Sequence, residues 1–179
     1  DWQLTINIDK CHFLHVGKNI HSNQYYINGC LINAANSVAD LGIDIDENLT
    51  FDVHINKIVS KAYSRIGVLF KGFASRNTEL LKRAYVTYVR PILEYASNVW
   101  SPHLLKHINV IERVQKHFTK RINSLSKLSY PQRLVEIGLE PLEVRRLKLD
   151  LVLYYKCFHN LVSLSSAEYF NLSQHATQT

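Results

Sequence analysis

Metal-assisted phosphoryl transfer needs two or three carboxylates converging on divalent ions, and the nearest approach to such a set in this sequence is Asp40, Asp44 and Asp46. Side chains two apart on a strand share a face, so a single strand here would align all three. Such a trio could hold a metal; an exposed strand face beside a turn is the plainer reading, and it is preferred. Cys11, His12 and His15 lie close together, and His103 and His107 are four apart on one helical face. Neither set has the four-ligand spacing of a structural zinc site, and no metal ligand is assigned. Serine, histidine and aspartate are abundant, but no nucleophile elbow surrounds them and no glycine-rich loop is present to cradle phosphate. Hydrolase and nucleotide-binding chemistry have no positive support.

Positive charge is what the residue types do supply. The 179 residues carry 21 Lys and Arg against 15 Asp and Glu, a net +6. It is unevenly spread: residues 1–50 hold two basic and six acidic side chains, residues 51–179 hold 19 basic and nine acidic. A segment with that excess attracts polyanions, nucleic acid first and anionic membrane second. Tyr63, Phe73, Tyr85, Tyr88, Tyr95, Trp100, Tyr130, Tyr154 and Tyr155 are interleaved with these charges, and such rings can stack on bases or sugars. Most of them also fall on the apolar stripe of a helix, where packing is the preferred reading of each.

The elements that would position these residues divide in the same way. Through residue 51 apolar residues alternate or come in short runs: Leu4, Ile6 and Ile8, then Phe13, Leu14 and Val16. These predict strands. Asn28-Gly29, between QYYI and CLI, is a two-residue hairpin signal, because both turn positions need positive φ. Leu41, Ile43 and Ile45 then alternate with Asp40, Gly42, Asp44 and Asp46, one face apolar and the other acidic.

From Asp52, a candidate N-cap, the period becomes helical. Ile55, Ile58, Val59, Ala62, Ile66, Leu69, Phe70 and Phe73 follow one face, while Lys57, Lys61, Arg65 and Lys71 line the other. A second helix is expected after Asn77-Thr78, burying Leu80, Leu81, Ala84, Tyr85, Tyr88 and Val89, with a kink or restart at Pro91 and an end at Ser101-Pro102. A third runs from about His103 to Ile122 with Leu104, Ile108, Ile111, Val114, Gln115 and Phe118 inward and Arg113, Lys116, Lys120 and Arg121 outward. A short helix follows Ser129-Tyr130-Pro131, and a longer one from about Leu142 to Val162 contains Leu147, Leu149, Leu151, Val152, Tyr155 and Phe158.

The expected fold is α+β: a small antiparallel strand region over 1–51, a helical bundle over 52–162 and a polar, frayed tail over 163–179. No window approaches the roughly 18 consecutive apolar residues of a membrane helix, and no secretory signal opens the chain. Three cysteines without a close pair fit a reducing compartment, so the expected location is intracellular, in nucleus or cytoplasm. There is no methionine, so the chain is expected to be a piece of a longer protein.

Read in order, Trp2-x-Leu4-x-x-Asn7-x-x-Lys10-Cys11, Asp40-Leu41-Gly42-Ile43-x-Ile45-Asp46-x-x-Leu49-x-Phe51-x-x-His54-Ile55, Tyr88-Val89-Arg90-Pro91-Ile92-Leu93-Glu94-Tyr95, Trp100-Ser101-Pro102 and Ile111-Glu112-x-Val114-Gln115 resemble the C-terminal part of a non-LTR retrotransposon reverse transcriptase of the jockey-like kind. Each motif alone is weak; five in this order, over residues 2 to about 160, are specific. The resemblance implies that residues 2–51 end a polymerase palm and that the helical remainder is its thumb. Lys10 matches a lysine placed to protonate the departing pyrophosphate, where an ammonium offsets developing charge. Leu41, Gly42 and Ile43 match the primer-grip hairpin, and the thumb would hold an RNA–DNA hybrid, RNA template with DNA primer, through phosphate and sugar contacts. Lys57, Lys61, Arg65 and Lys71 are the candidate phosphate contacts.

The sequence departs from that family at the catalytic centre. No aromatic-Ala-Asp-Asp turn occurs in it. The Mg2+ ions implied for a full-length polymerase would have no site here, and the chain alone is not expected to polymerise. The implied partner is the missing N-terminal polymerase region. The other class of function these residues allow is a stand-alone basic helical module, left from a decayed element, that binds nucleic acid or protein.

Overall fold

The computed structural model describes residues 6–17, 23–73, 75, 77–164 and 169. Trp2, Leu4 and most of the polar tail lie outside the described residues. The chain divides into two compact units, Asp1–Lys61 and Ala62–Thr179. That division falls inside the first long helix rather than at the change of hydrophobic period near residue 51.

In the first unit the pairings are short. A single 3-10 turn, Ile8–Lys10, starts at Asn7, whose side chain accepts from the Asp9 N–H at 3.1 Å. Strand β1 (His12–Phe13) pairs in parallel with β4 (Asn33–Ala34), while β2 (Tyr26–Ile27) and β3 (Cys30–Leu31) form a hairpin. Its turn is Asn28-Gly29, at φ 49° and 77°, the left-handed pair that a primed two-residue turn demands. Strands β5 (Ser37–Asp40) and β6 (Ile43–Asp46) make the longest ladder, from Ser37 opposite Asp46 to Asp40 opposite Ile43. The expected antiparallel arrangement thus holds for two pairs. The β1–β4 pair is parallel, which the intervening excursion through the β2–β3 hairpin allows.

Residues 38–46, read as one alternating stretch, are two strands joined by a turn at Leu41-Gly42, φ 45° and 85°. A two-residue turn reverses the parity of the faces. Residues directly opposite each other share a side, so Asp40 lies with Ile43 and Ile45, and Asp44 and Asp46 project the other way. The aspartate trio of the sequence is therefore split.

Helix α1 (Asp52–Gly72) begins with Asp52 as its first residue rather than as its cap. In the second unit α2 (Thr78–Tyr88) is capped by Asn77, whose side chain accepts from the Leu80 N–H at 3.0 Å. Leu81, Ala84, Tyr85 and Val89 are buried; Leu80 and Tyr88, expected inside, are exposed. Pro91 breaks the pattern rather than kinking it, lying in the first turn of the separate α3 (Arg90–Glu94), where its missing N–H costs nothing. Helix α4 (Ser97–Trp100) follows Ala96 at φ 49°. Helix α5 (Leu105–Lys120) buries Ile111, Val114, Gln115 and Phe118 but not Leu104. Helix α6 (Tyr130–Ile137) opens with a Ser129–Gln132 capping box and ends on Gly138 at φ 63°, both standard terminators. Helix α7 spans Leu142–Phe158 and packs against α4 and α5.

Aromatic packing centres the second unit. The Tyr85 and Phe118 rings stack with centroids 4.4 Å apart, and Phe70 meets Phe118 at 5.8 Å. Buried Trp100 donates from Nε1 to the Tyr95 carbonyl at 2.9 Å. A polar network threads this core. Tyr85 Oη donates to Gln115 Oε1 at 3.0 Å, and Gln115 Nε2 donates to Tyr130 Oη at 3.1 Å and to the Glu140 carbonyl at 2.9 Å. Tyr130 in turn donates to Glu112, whose other oxygen accepts the Leu142 N–H at 2.9 Å. With every member partnered, such a network fixes one packing arrangement. Burial, and then the bond to Glu112, pushes the Tyr130 hydroxyl far above its ordinary value, so it stays a donor.

Candidate nucleic-acid interface

Leu41 and Gly42 form the tip of the β5–β6 hairpin, and Leu41 is 82% exposed in a left-handed conformation. That combination is uncommon for a branched apolar residue, and strain of this kind clusters where function needs it. Ile43, next along, is buried. The hairpin is held from behind by the start of α1. The backbone N–H of Asp44 donates to His54 Nδ1 at 3.2 Å, and Lys57 Nζ donates to Asp44 Oδ1 at 2.7 Å. Because Nδ1 accepts that N–H, the ring is neutral with its proton on Nε2. The 3.5 Å approach of Asp44 Oδ2 to Nδ1 is therefore a contact rather than an ion pair. Burial lowers the His54 pKa, only partly offset by Asp44. Lys57, through its hydrogen bond, lowers that of Asp44 against the opposing cost of burial.

Asp46 shapes the loop into α1. One oxygen accepts from the Asn48 and Thr50 N–H groups at 3.0 and 3.2 Å; the other accepts from the Thr50 hydroxyl at 3.0 Å and the Phe51 N–H at 2.9 Å. Burial raises its pKa, but these bonds outweigh burial and hold the carboxyl below its ordinary value. With Asp44 engaged by Lys57, Asp46 saturated and Asp40 on the other face, the three aspartates do not fit a divalent ion. Among the described residues no group of three His, Cys, Asp or Glu side chains could hold one.

The basic row of α1 is altered in the same way. Lys57 is drawn to Asp44, whereas Lys61, Arg65 and Lys71 are exposed and have no ion pair among the described residues. Lys10 is exposed at the end of its 3-10 turn. A second row, not among the candidates, lies along α5: Lys106, Arg113, Lys116 and Lys120, spaced by seven, three and four, of which the sequence marks Arg113, Lys116 and Lys120 as outward-facing and the structure adds Lys106. Lys116 lies over the Tyr130 ring at 5.2 Å and Lys120 reaches the Ser126 carbonyl at 2.7 Å, which orients both stems. Of the aromatics, Tyr85 and Trp100 are core residues, while Tyr88, Tyr95, Tyr154 and Tyr155 are exposed.

Several motif residues turn out to be scaffold. Glu112 and Gln115 belong to the buried network. Glu94 accepts from Arg145 Nε and Nη2, at 2.5 and 3.0 Å, tying α3 to α7. His54 belongs to the hairpin clamp. Beside α4 and α7 lies a cavity of about 540 Å3, lined by Asn98, Asp150, Leu153, Tyr154, Cys157, Leu164 and Tyr169. No nucleophile–base pair converges on it. Among the described residues no helix is long and apolar enough to cross a membrane.

The chain matches no protein-family model and no solved structure. It is similar to the uncharacterized protein B0403.1 of Caenorhabditis elegans, with 28% identity over 131 residues. The aligned stretch is 72% of this chain and 64% of that protein.

Proposed function

We propose that this chain is the palm-end and thumb portion of a reverse transcriptase of the non-LTR retrotransposon kind, working inside the cell, and that its own activity is to hold an RNA–DNA hybrid rather than to polymerise. The observation that supports this most is the hairpin tip. The segment resembling a primer grip forms a two-residue turn that exposes Leu41, and His54, Asp44 and Lys57 brace it. A small, rigid, backbone-rich projection suits close approach to a strand, because Gly42 at φ 85° leaves no side chain in the way. The exposed cations of α1, Lys61, Arg65 and Lys71, supply sequence-independent phosphate attraction. In the parent polymerase Lys10 would donate a proton to departing pyrophosphate, and Mg2+ would be held by aspartates this chain does not carry.

The test is a titration of the chain with RNA–DNA hybrid, duplex DNA and duplex RNA across salt concentrations. Hybrid binding tighter than either duplex, with a salt slope reduced by about 2–3 when Lys61, Arg65 and Lys71 are jointly replaced by Glu, is the expected result. Equal affinity for all three duplexes would favour the stand-alone basic module. No measurable binding at physiological salt would remove nucleic acid from the account altogether.

A further inference from the structure

Helix α7 has a buried side and, apart from it, an exposed apolar side. One side buries Leu142, Arg146 and Cys157 in its own unit. The other carries Val144, Leu147, Leu151, Tyr154 and Phe158, each between 39% and 58% exposed. A helix that is hydrophobic around most of its circumference ordinarily has protein on both sides. The exposed set is spaced by three, four, three and four residues, and Leu161, 64% exposed just past the helix end, continues it by three. That is the first-and-fourth pattern of a coiled-coil seam, in which each side chain inserts among four of a facing helix.

The flanking charges say which helix would face it. The positions that border such a seam hold Glu143 and Asp150 on one side and Lys148 and Tyr155 on the other. In a parallel pair the first kind meets the second kind five residues further along the partner, which sets Glu143 against Lys148 twice by symmetry. In an antiparallel pair the acidic flanks would face each other. From this self-complementarity we infer that the exposed face of α7 is a homodimer seam, occupied by the α7 of a second copy of this chain in parallel. Lys148, which engages Glu140 within the chain, reaches the second copy's Glu143 across the seam. The helix is short for an isolated coiled coil, but it is already held by α4 and α5, so pairing does not have to supply the cost of forming it. Two like faces related by a twofold axis close the assembly at two copies.

Sedimentation equilibrium of the nuclease-treated chain at micromolar concentrations tests this. The expected result is a reversible dimer that Leu151→Glu converts to monomer without changing the far-ultraviolet circular dichroism. Glu143→Lys and Lys148→Glu should each weaken the dimer about five- to tenfold, and the double exchange should restore it. A wild-type chain that stays monomeric to about 100 μM, including because some other segment covers α7, overturns the inference. A dimer indifferent to Leu151→Glu, or a double exchange no tighter than the singles, overturns it as well.

Discussion

Among the described residues between 6 and 61 the buried side chains are Ile43, His54, Ile55, Ile58 and Val59, and Ile6, Val16, Tyr25, Tyr26 and Leu31 stand exposed on or near strands of two to four residues. Between 62 and 164 a continuous aromatic and aliphatic interior closes around Tyr85, Trp100 and Phe118, threaded by a fully partnered polar network. The first unit is therefore specified by turn chemistry, one side chain at a time: Asn28-Gly29, Leu41-Gly42, the four bonds of Asp46, the His54 clamp. The second is specified by packing, where many contacts share the load. A single substitution should act differently in the two.

The largest effect should come from the packed unit. Phe118→Ala removes the ring between Tyr85 and Phe70 and leaves a cavity, costing about 3–5 kcal/mol in a urea unfolding titration. A loss under 1 kcal/mol would mean that the stacked core is not the seat of stability. Next is Glu112→Ala, which strands the Tyr130 hydroxyl and the Leu142 N–H in the interior, a cost of about 3 kcal/mol. Glu112→Gln, which keeps an acceptor, should cost less than half as much.

In the first unit the test is proton concentration. His54 is neutral in the fold with its pKa lowered from 6.5, so between that lowered value and 6.5 the unfolded chain binds more protons, and stability falls as pH falls. Asp44, also lowered, adds a loss only in more acidic solution, below its ordinary 3.8. The burial-lowered His117 shifts the second unit with the same sign, so the readout must be local. Hydrogen exchange at the Asp44 amide should speed up by about three- to tenfold between pH 7 and pH 5.5 after correction for intrinsic rates, and His54→Asn should flatten that response. The smallest effect is a gain: Leu41→Asn, at a position held at φ 45°, should stabilise by about 0.5–1 kcal/mol while weakening hybrid binding.

Most helices were legible because their signals are local and periodic. Asn77, Ser129 and Gly138 mark ends, and Pro91 marks a restart. The hairpin at 41–42 was harder, since alternation before and after a two-residue turn looks like one strand; the face of Asp40 came out reversed for that reason alone. In the sequence Lys57 is one of an outward row of candidate phosphate contacts, because its partner, Asp44, is 13 residues away and only the reversal of the chain brings them together. Leu147, Leu151 and Tyr155 were read as part of an apolar helix without a side assigned, and a periodicity present on two faces cannot say which is covered within the chain. Gln115 is legible as an inward residue from its place on the apolar stripe of α5, but the buried role of Glu112 has no local sign, because charged residues on an amphipathic helix ordinarily face water.

One bond in the interior also governs the exterior. The N–H of Leu142, donated to Glu112, and the guanidinium of Arg145, held by Glu94, act as two index pins on α7. Since each residue of a helix is turned by about 100° from the last, a slip of α7 by one position would carry Leu147 into the buried place of Arg146 and Leu151 into the half-buried place of Asp150, and would present Arg145 and Lys148 where Val144 and Leu147 stand. Glu112, itself buried, thereby sets the compass bearing of the exposed side of α7.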